Sequence, residues 1–115
     1  MILVIGGFAS GKRTYVRQCL GYCDQDMADQ TIDDRPVVIN VQNLGTRDEE
    51  ALSRLVDSLC EKEVLVACEI GLGIIPLEKK DREARECAGR LVNRLALRAD
   101  RVIRMVCGIP MVIKG

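Results

Sequence analysis

The first chemistry legible in this sequence lies at its start. The apolar run Ile2-Leu3-Val4-Ile5 stops at Gly6-Gly7, and Gly11-Lys12 completes a G-x-x-x-x-G-K pattern from Gly6 to Lys12. A strand, a loop of small residues and a helix in that order converge loop amides and a helix N-terminus on a concavity suited to phosphate oxygens. Glycine is needed where backbone meets phosphate and where φ is positive. Lys12 would reach β- and γ-phosphates as a point charge. Gly6, Gly7, Phe8, Ala9, Ser10, Gly11, Lys12, Arg13 and Thr14 are therefore the candidate phosphate-binding stretch. The pattern ordinarily ends in a Ser or Thr whose hydroxyl binds magnesium, but here that position is Arg13. Thr14 is displaced by about 100° around the helix and does not simply take over. The competing reading is a glycine turn with an incidental lysine.

The elements that would position this loop follow from apolar patterning. The segment 21–36 is polar and acidic and reads as a loop with a short helical turn. Val37 to Val41 is a second buried strand, and Asn43 to Arg47 a connection. Asp48 to Glu61 is a helix with Leu52, Leu55, Val56 and Leu59 at helical spacing and acids in its first turn. Glu63 to Glu69 is a third, almost wholly apolar strand. Continuous apolar strands separated by helices predict a parallel sheet covered on both faces. Gly71 to Pro76 forms a loop at the C-terminal edge, where ligands of such sheets bind. A long helix over Lys79 to Ala99 turns Ala84, Cys87, Ala88, Leu91 and Leu95 inward. Arg101 to Cys107 and Met111 to Lys114 make a hairpin around Gly108-Ile109-Pro110.

Composition sets limits. A chain of 115 residues reads as one domain, 1–115. Apolar residues are 48% and aromatic ones 3%, so the core is aliphatic. Lysine plus arginine and aspartate plus glutamate number 17 each, which gives no bulk charge for nucleic acid. The absence of histidine excludes histidine acid–base catalysis, histidine metal ligation and a nucleotidyl-histidine intermediate. Cys19, Cys23, Cys60, Cys68, Cys87 and Cys107 contain no C-x-x-C pair and read as buried small hydrophobes in a reducing cytosol. The apolar start is shorter than a signal peptide, and no stretch approaches a membrane span. The expected location is cytoplasmic.

Three blocks resemble the adenosylcobinamide kinase / adenosylcobinamide-phosphate guanylyltransferase family of cobalamin biosynthesis. ILVIGGFASGK is similar to that family's strand and P-loop. CEIGLGIIP is similar to its Asn-Glu-Val-Gly-x-Gly-Ile-Val-Pro segment. REARECAGRLVNRLALRADRVIRMVCGIPMVIK is similar to its closing helix and hairpin. The resemblance implies phosphate roles for Gly6, Gly7, Ser10, Gly11 and Lys12, and roles beside the loop for Glu69, Gly71, Gly73 and Pro76. It also matches Arg82, Arg85, Gly89 and Arg90 to the long helix; a solvated helix face is the other reading of the helix arginines. Family members are longer between the first helix and Val37, and the histidine that takes up GMP lies in that missing region. Asn40 stands where a strand-end acid is implied, and Val92 where the family favours Asn.

The expectation is thus an α/β, P-loop NTPase-like domain with a mostly parallel sheet flanked by helices and a C-terminal β-hairpin. By resemblance it takes ATP or GTP and phosphorylates a cobinamide-type hydroxyl. Lys12 would stabilise the phosphates, and Glu69 would orient magnesium or the acceptor as the candidate metal residue. With Arg13 and Asn40 at the expected Mg2+ positions, dependence on Mg2+ is expected to be small. The alternative is a catalytically silent paralogue that binds nucleotide or a partner chain. A weaker one is a structural subunit whose apolar surface is covered in an assembly. Expected partners are a nucleoside triphosphate and a corrinoid, with no nucleic acid and no membrane. A homo-oligomer stays open.

Overall fold

The computed structural model describes residues 1–69 and 79–115, with Asp81 through its backbone alone. The strands are β1 (Ile2–Gly6), β2 (Met27–Asp29), β3 (Val37–Ile39), β4 (Val64–Cys68), β5 (Arg101–Val106) and β6 (Ile109–Lys114). The helices are α1 (Lys12–Gln18), α2 (Glu49–Cys60) and α3 (Lys79–Arg98), with 3-10 turns at Asp24–Asp26 and Val41–Leu44. The strand order is β2-β3-β4-β1-β5-β6. β1 runs parallel to β4 and β5, and β3 parallel to β2 and β4, while β6 alone is antiparallel.

Both faces of the sheet are covered, which is why its central strands lack polar alternation. Leu3, Leu65, Ala67 and Val102 pack with Leu52, Val56 and Leu59 of α2 and Leu91 and Leu95 of α3. Val4, Val64, Val66, Ile103 and Met105 pack on the opposite face with Val16 of α1. Asp48 caps α2, its carboxylate accepting from the amides of Glu50 at 3.0 Å and Ala51 at 3.4 Å. Lys114 Nζ donates to the carbonyls of Ala96 at 3.0 Å and Leu97 at 2.7 Å, satisfying the end of α3. Among the described residues, no helix is long and apolar enough to cross a membrane.

Several expectations need correction. The 21–36 segment is more than a loop: it adds β2 at the sheet edge, with Met27 and Ala28 buried. Three residues are too few to show a period. The second strand ends at Ile39, because Asn40 adopts φ 57 and ψ 38 and turns the chain into a 3-10 turn. The hairpin turn is Cys107-Gly108, both with positive φ (51 and 78), and Ile109 and Pro110 already belong to β6. Such a two-residue turn matches the twist of its strands, and Pro110 is tolerated because β6 is an edge strand. Among the described side chains of α3, burial begins at Cys87, where the backbone of Gly45 meets the helix; Ala84 is exposed. Of the cysteines only Cys87 is buried. Cys60 and Cys68 are half-buried, and Cys19, Cys23 and Cys107 lie exposed in or beside turns. The Gly71 to Pro76 loop lies outside the described residues.

Candidate functional site

The glycine loop is shaped by contacts that its sequence permits. A Cβ on Gly6 would sit 2.4 Å from Ser10 Oγ and 2.8 Å from the Met105 carbonyl, so only glycine lets the loop fold back on β1 and β5. Gly11 takes φ 92 as N-cap of α1, and its carbonyl accepts the Tyr15 amide at 3.0 Å. Ala9 also has positive φ, at 57. Inside the turn the Ser10 amide donates to the Gly7 carbonyl at 3.3 Å. From outside, the Gly108 amide donates to the Ser10 carbonyl at 3.0 Å, so the β5–β6 turn braces the loop. Ser10 is buried, and among the described residues its hydroxyl has no hydrogen-bond partner. Lys12 folds back over the loop, its Nζ donating to the Gly7 carbonyl at 2.6 Å. A phosphate oxygen could exchange for that neutral carbonyl with a gain in charge complementarity.

A cavity of about 540 Å³ opens beside the loop. Ala9, Gly11 and Lys12 form one end, and Arg13, Thr14 and Arg17 of α1 form a side. Val66 and Cys68 of β4 and then Ile39 and Asn40 at the tip of β3 form the floor and far end, with Phe8, 94% exposed, at the mouth. Lys12, Arg13 and Arg17 are cationic, and no carboxylate appears among the described lining residues. This is the electrostatics of a polyanion site. It does not fit magnesium: the place of the hydroxyl ligand holds a guanidinium, and the far end holds a neutral amide. Among the described residues no group of three or more His, Cys, Asp or Glu could hold a metal ion.

Glu69 is not brought into the cavity. Alternation along β4 puts Val66 and Cys68 on the α1 face, and Leu65, Ala67 and then Glu69 on the other. There its carboxylate is held bidentate by Arg104, which donates from Nε at 2.8 Å and Nη2 at 3.1 Å. The pair raises the Arg104 guanidinium above its ordinary pKa. The Glu69 amide donates to the Gly6 carbonyl at 2.7 Å, so its backbone supports the loop while its side chain points away.

Arg90, Arg94 and Arg98 of α3 are engaged in ion pairs with α2. Arg90 and Arg94 both pair with Glu49, and Arg98 with Asp57, tying α3 to α2; Arg47 pairs with Glu83 at 3.0 Å. Arg82 is exposed, Arg85 half-buried, and Gly89 stands on the exposed side of α3. Gly71, Gly73 and Pro76 lie outside the described residues.

Sequence reasoning missed three participants. Arg17 stands four positions after Arg13, a same-face spacing that could have revealed it. Gln42 is buried, and its Oε1 accepts the Cys68 amide at 2.9 Å, which fixes the end of β4. Asp29, at the end of β2, accepts from Asn40 Nδ2 at 2.9 Å and Gln30 Nε2 at 3.1 Å. The Asn40 bond first, and the Gln30 bond second, hold its carboxyl below the ordinary range, with the Arg13 charge adding to them.

The family comparison bears on the part of the chain from the end of β2 onward. A family described as cobinamide kinase / cobinamide phosphate guanyltransferase matches residues 30–113, leaving the glycine loop outside the matched span. The chain is 38% identical over 68 residues to a bifunctional adenosylcobalamin biosynthesis protein, CobP, of Pseudomonas aeruginosa; the match covers 59% of this chain and 39% of that protein. It is 47% identical over 53 residues to the protein of the same description, CobU, of Salmonella typhimurium, covering 46% of this chain and 29% of the relative. Against CobU of Escherichia coli it is 38% identical over 73 residues, covering 57% and 40%. These matches thus span at most two fifths of each relative's length. With most of the chain inside the matched span, this protein belongs to the cobinamide kinase / cobinamide phosphate guanyltransferase family.

Proposed function

We propose that the cavity beside Gly6–Thr14 binds the phosphates of a nucleoside triphosphate, ATP or GTP. The observation that carries this reading is the cluster of Lys12, Arg13 and Arg17 at a glycine loop, around a cavity with no carboxylate in its described lining. Lys12 and the loop amides cradle the phosphates, and Arg13 neutralises charge where the pattern would place a magnesium hydroxyl. The family description supports phosphoryl transfer to a cobinamide-type hydroxyl as the reaction. That transfer is mostly positioning and charge neutralisation, which a lysine and two arginines can supply in part.

A second reading, binding without turnover, is favoured by Arg13 and by the engagement of Glu69 with Arg104, which leaves the described lining of the cavity without a carboxylate. Guanylyl transfer through histidine has no residue to use.

Calorimetric titration with ATP and GTP, with and without magnesium, tests both readings. Lys12→Ala should abolish triphosphate binding while the fold persists, because its ammonium serves the loop and not the core; unchanged affinity sinks the phosphate site. Wild-type affinity should change less than tenfold with magnesium, and Arg13→Ser should introduce magnesium dependence. A rise of tenfold or more, about 1.4 kcal/mol, restores the magnesium-dependent kinase as the leading reading.

A further inference from the structure

The cavity has two chemically different ends. One is the cationic glycine loop beside β1. From there the floor passes Cys68 and Val66 of β4 and reaches Ile39 and Asn40 of β3. β2 is the next strand, and its last residue is Asp29. Two to three strand spacings, about 10–14 Å, separate the ends. That is of the order of an extended nucleotide from its terminal phosphate to its nucleoside.

Behind Asn40, just outside the cavity's lining residues, one carboxylate is held still. Gln30 and Asn40, which flank it, both adopt φ 57, a conformation uncommon for residues other than glycine. The Gln30 amide donates to the Ile39 carbonyl at 3.1 Å, so the two strand ends are locked together. Both side-chain amides then donate to Oδ1 of Asp29. Among the described residues, no hydrogen bond falls on Oδ2. An ionised carboxylate with one oxygen fixed and the other open accepts a hydrogen bond; it repels phosphate. Its use is therefore toward a donor on the part of the ligand that is not phosphate.

We infer that Asp29, positioned by Asn40 and Gln30 beside this cavity, is a specificity-determining residue: its Oδ2 accepts a hydrogen bond from a hydroxyl or amino group on the nucleoside end of a ligand whose phosphates lie at Lys12 and Arg13 and whose nucleoside extends past Asn40. The inference rests on the nucleotide reading above. It names a residue with no place in the glycine-loop pattern.

The test measures dissociation constants for the wild type, Asp29→Asn and Asp29→Ala with inorganic tripolyphosphate, GTP, inosine triphosphate, ATP and 2′,3′-dideoxy-GTP. Inosine triphosphate lacks the amino group of GTP, and the dideoxy nucleotide lacks the ribose hydroxyls, so the arms separate the two donor sources. The wild type should lose tenfold or more in affinity when the recognised donor is deleted from the ligand. Asp29→Ala should lose the same factor on the intact nucleotide and then be indifferent to the deletion, with Asp29→Asn intermediate. Tripolyphosphate should bind both variants as well as the wild type or better, since a negative charge has gone. Nucleotide affinities within twofold of wild type in both variants overturn the inference. So does an equal loss on tripolyphosphate, which marks structural damage. A wild type that binds tripolyphosphate upholds the phosphate site whatever Asp29 does; one that binds none of these ligands overturns both.

Discussion

Lys12 shows how a residue can be placed by local sequence and still await its partner. Its ammonium rests on the Gly7 carbonyl, 2.6 Å away, inside the loop that its motif defines. Arg13 and Thr14 follow on α1, and all three line the cavity, as a motif confined to consecutive residues allows. Asp33 is a residue with a clear pH signature. Its carboxylate accepts from Arg35 through Nε, Nη2 and the backbone amide, and these bonds lower its pKa from 3.8 to about 2. A depressed folded pKa means that the contribution is fully present above 3.8 and is lost as pH falls toward 2. Carboxyl NMR should therefore find Asp33 titrating near 2, and Arg35→Ala should return it toward 3.8. A wild-type midpoint already near 3.8 would show that the Arg35 contact is not populated in solution.

At the scale of elements, α3 is positioned by one close approach and several ion pairs. A Cβ on Gly45 would lie 2.7 Å from the Cys87 carbonyl carbon and oxygen and 3.0 Å from the Ala88 amide nitrogen. These are backbone atoms that cannot turn aside. Gly45→Ala should cost about 1–3 kcal/mol, as overpacking does. Gly89, in the same helix, has nothing within 4 Å of its Cβ position. Gly89→Ala should instead stabilise by about 0.5–1 kcal/mol through helix propensity alone. Denaturant midpoints of the two variants should move in opposite directions, and a shared direction refutes this packing of α3. Neither sign follows from sequence, because glycine in a turn and glycine in a helix do not reveal what faces them. The existence of α2 was legible from Leu52, Val56 and Leu59. The existence of β2 was not, since three residues show no period and Met27 is buried by tertiary packing in the cluster around Val16, Val37 and Ile39.

Across the molecule, stability comes from two apolar layers on one twisted sheet. Leu91 is fully buried where α3 meets the sheet and α2, whereas Leu97, on the same helix, is 79% exposed. Leu91→Ala should lose about 2–5 kcal/mol through transfer and cavity terms. Leu97→Ala should change stability by no more than about 0.5 kcal/mol. Urea unfolding with unchanged m-values would measure both, and comparable losses would mean that α3 is rotated from the position described. The edge strand β6 leaves Ile109, Met111, Val112 and Ile113 exposed.

Much of this molecule follows from residues close together in the chain. A glycine loop between an apolar strand and a helix, a capped amphipathic α2 and an unbroken apolar β4 declare themselves through local sterics, capping and solvation, and with them the parallel sheet. The direction of each strand-end side chain is another matter. Val64 to Cys68 is apolar on both faces and carries no period, so nothing local says that Cys68 faces the cavity beside the glycine loop and Glu69 faces Arg104. That was settled by which face α1 covers. In the same way Asp29 and Asn40 meet only because β2 and β3 are neighbours in the sheet, a pairing made by tertiary packing between strand ends that the sequence holds eleven residues apart.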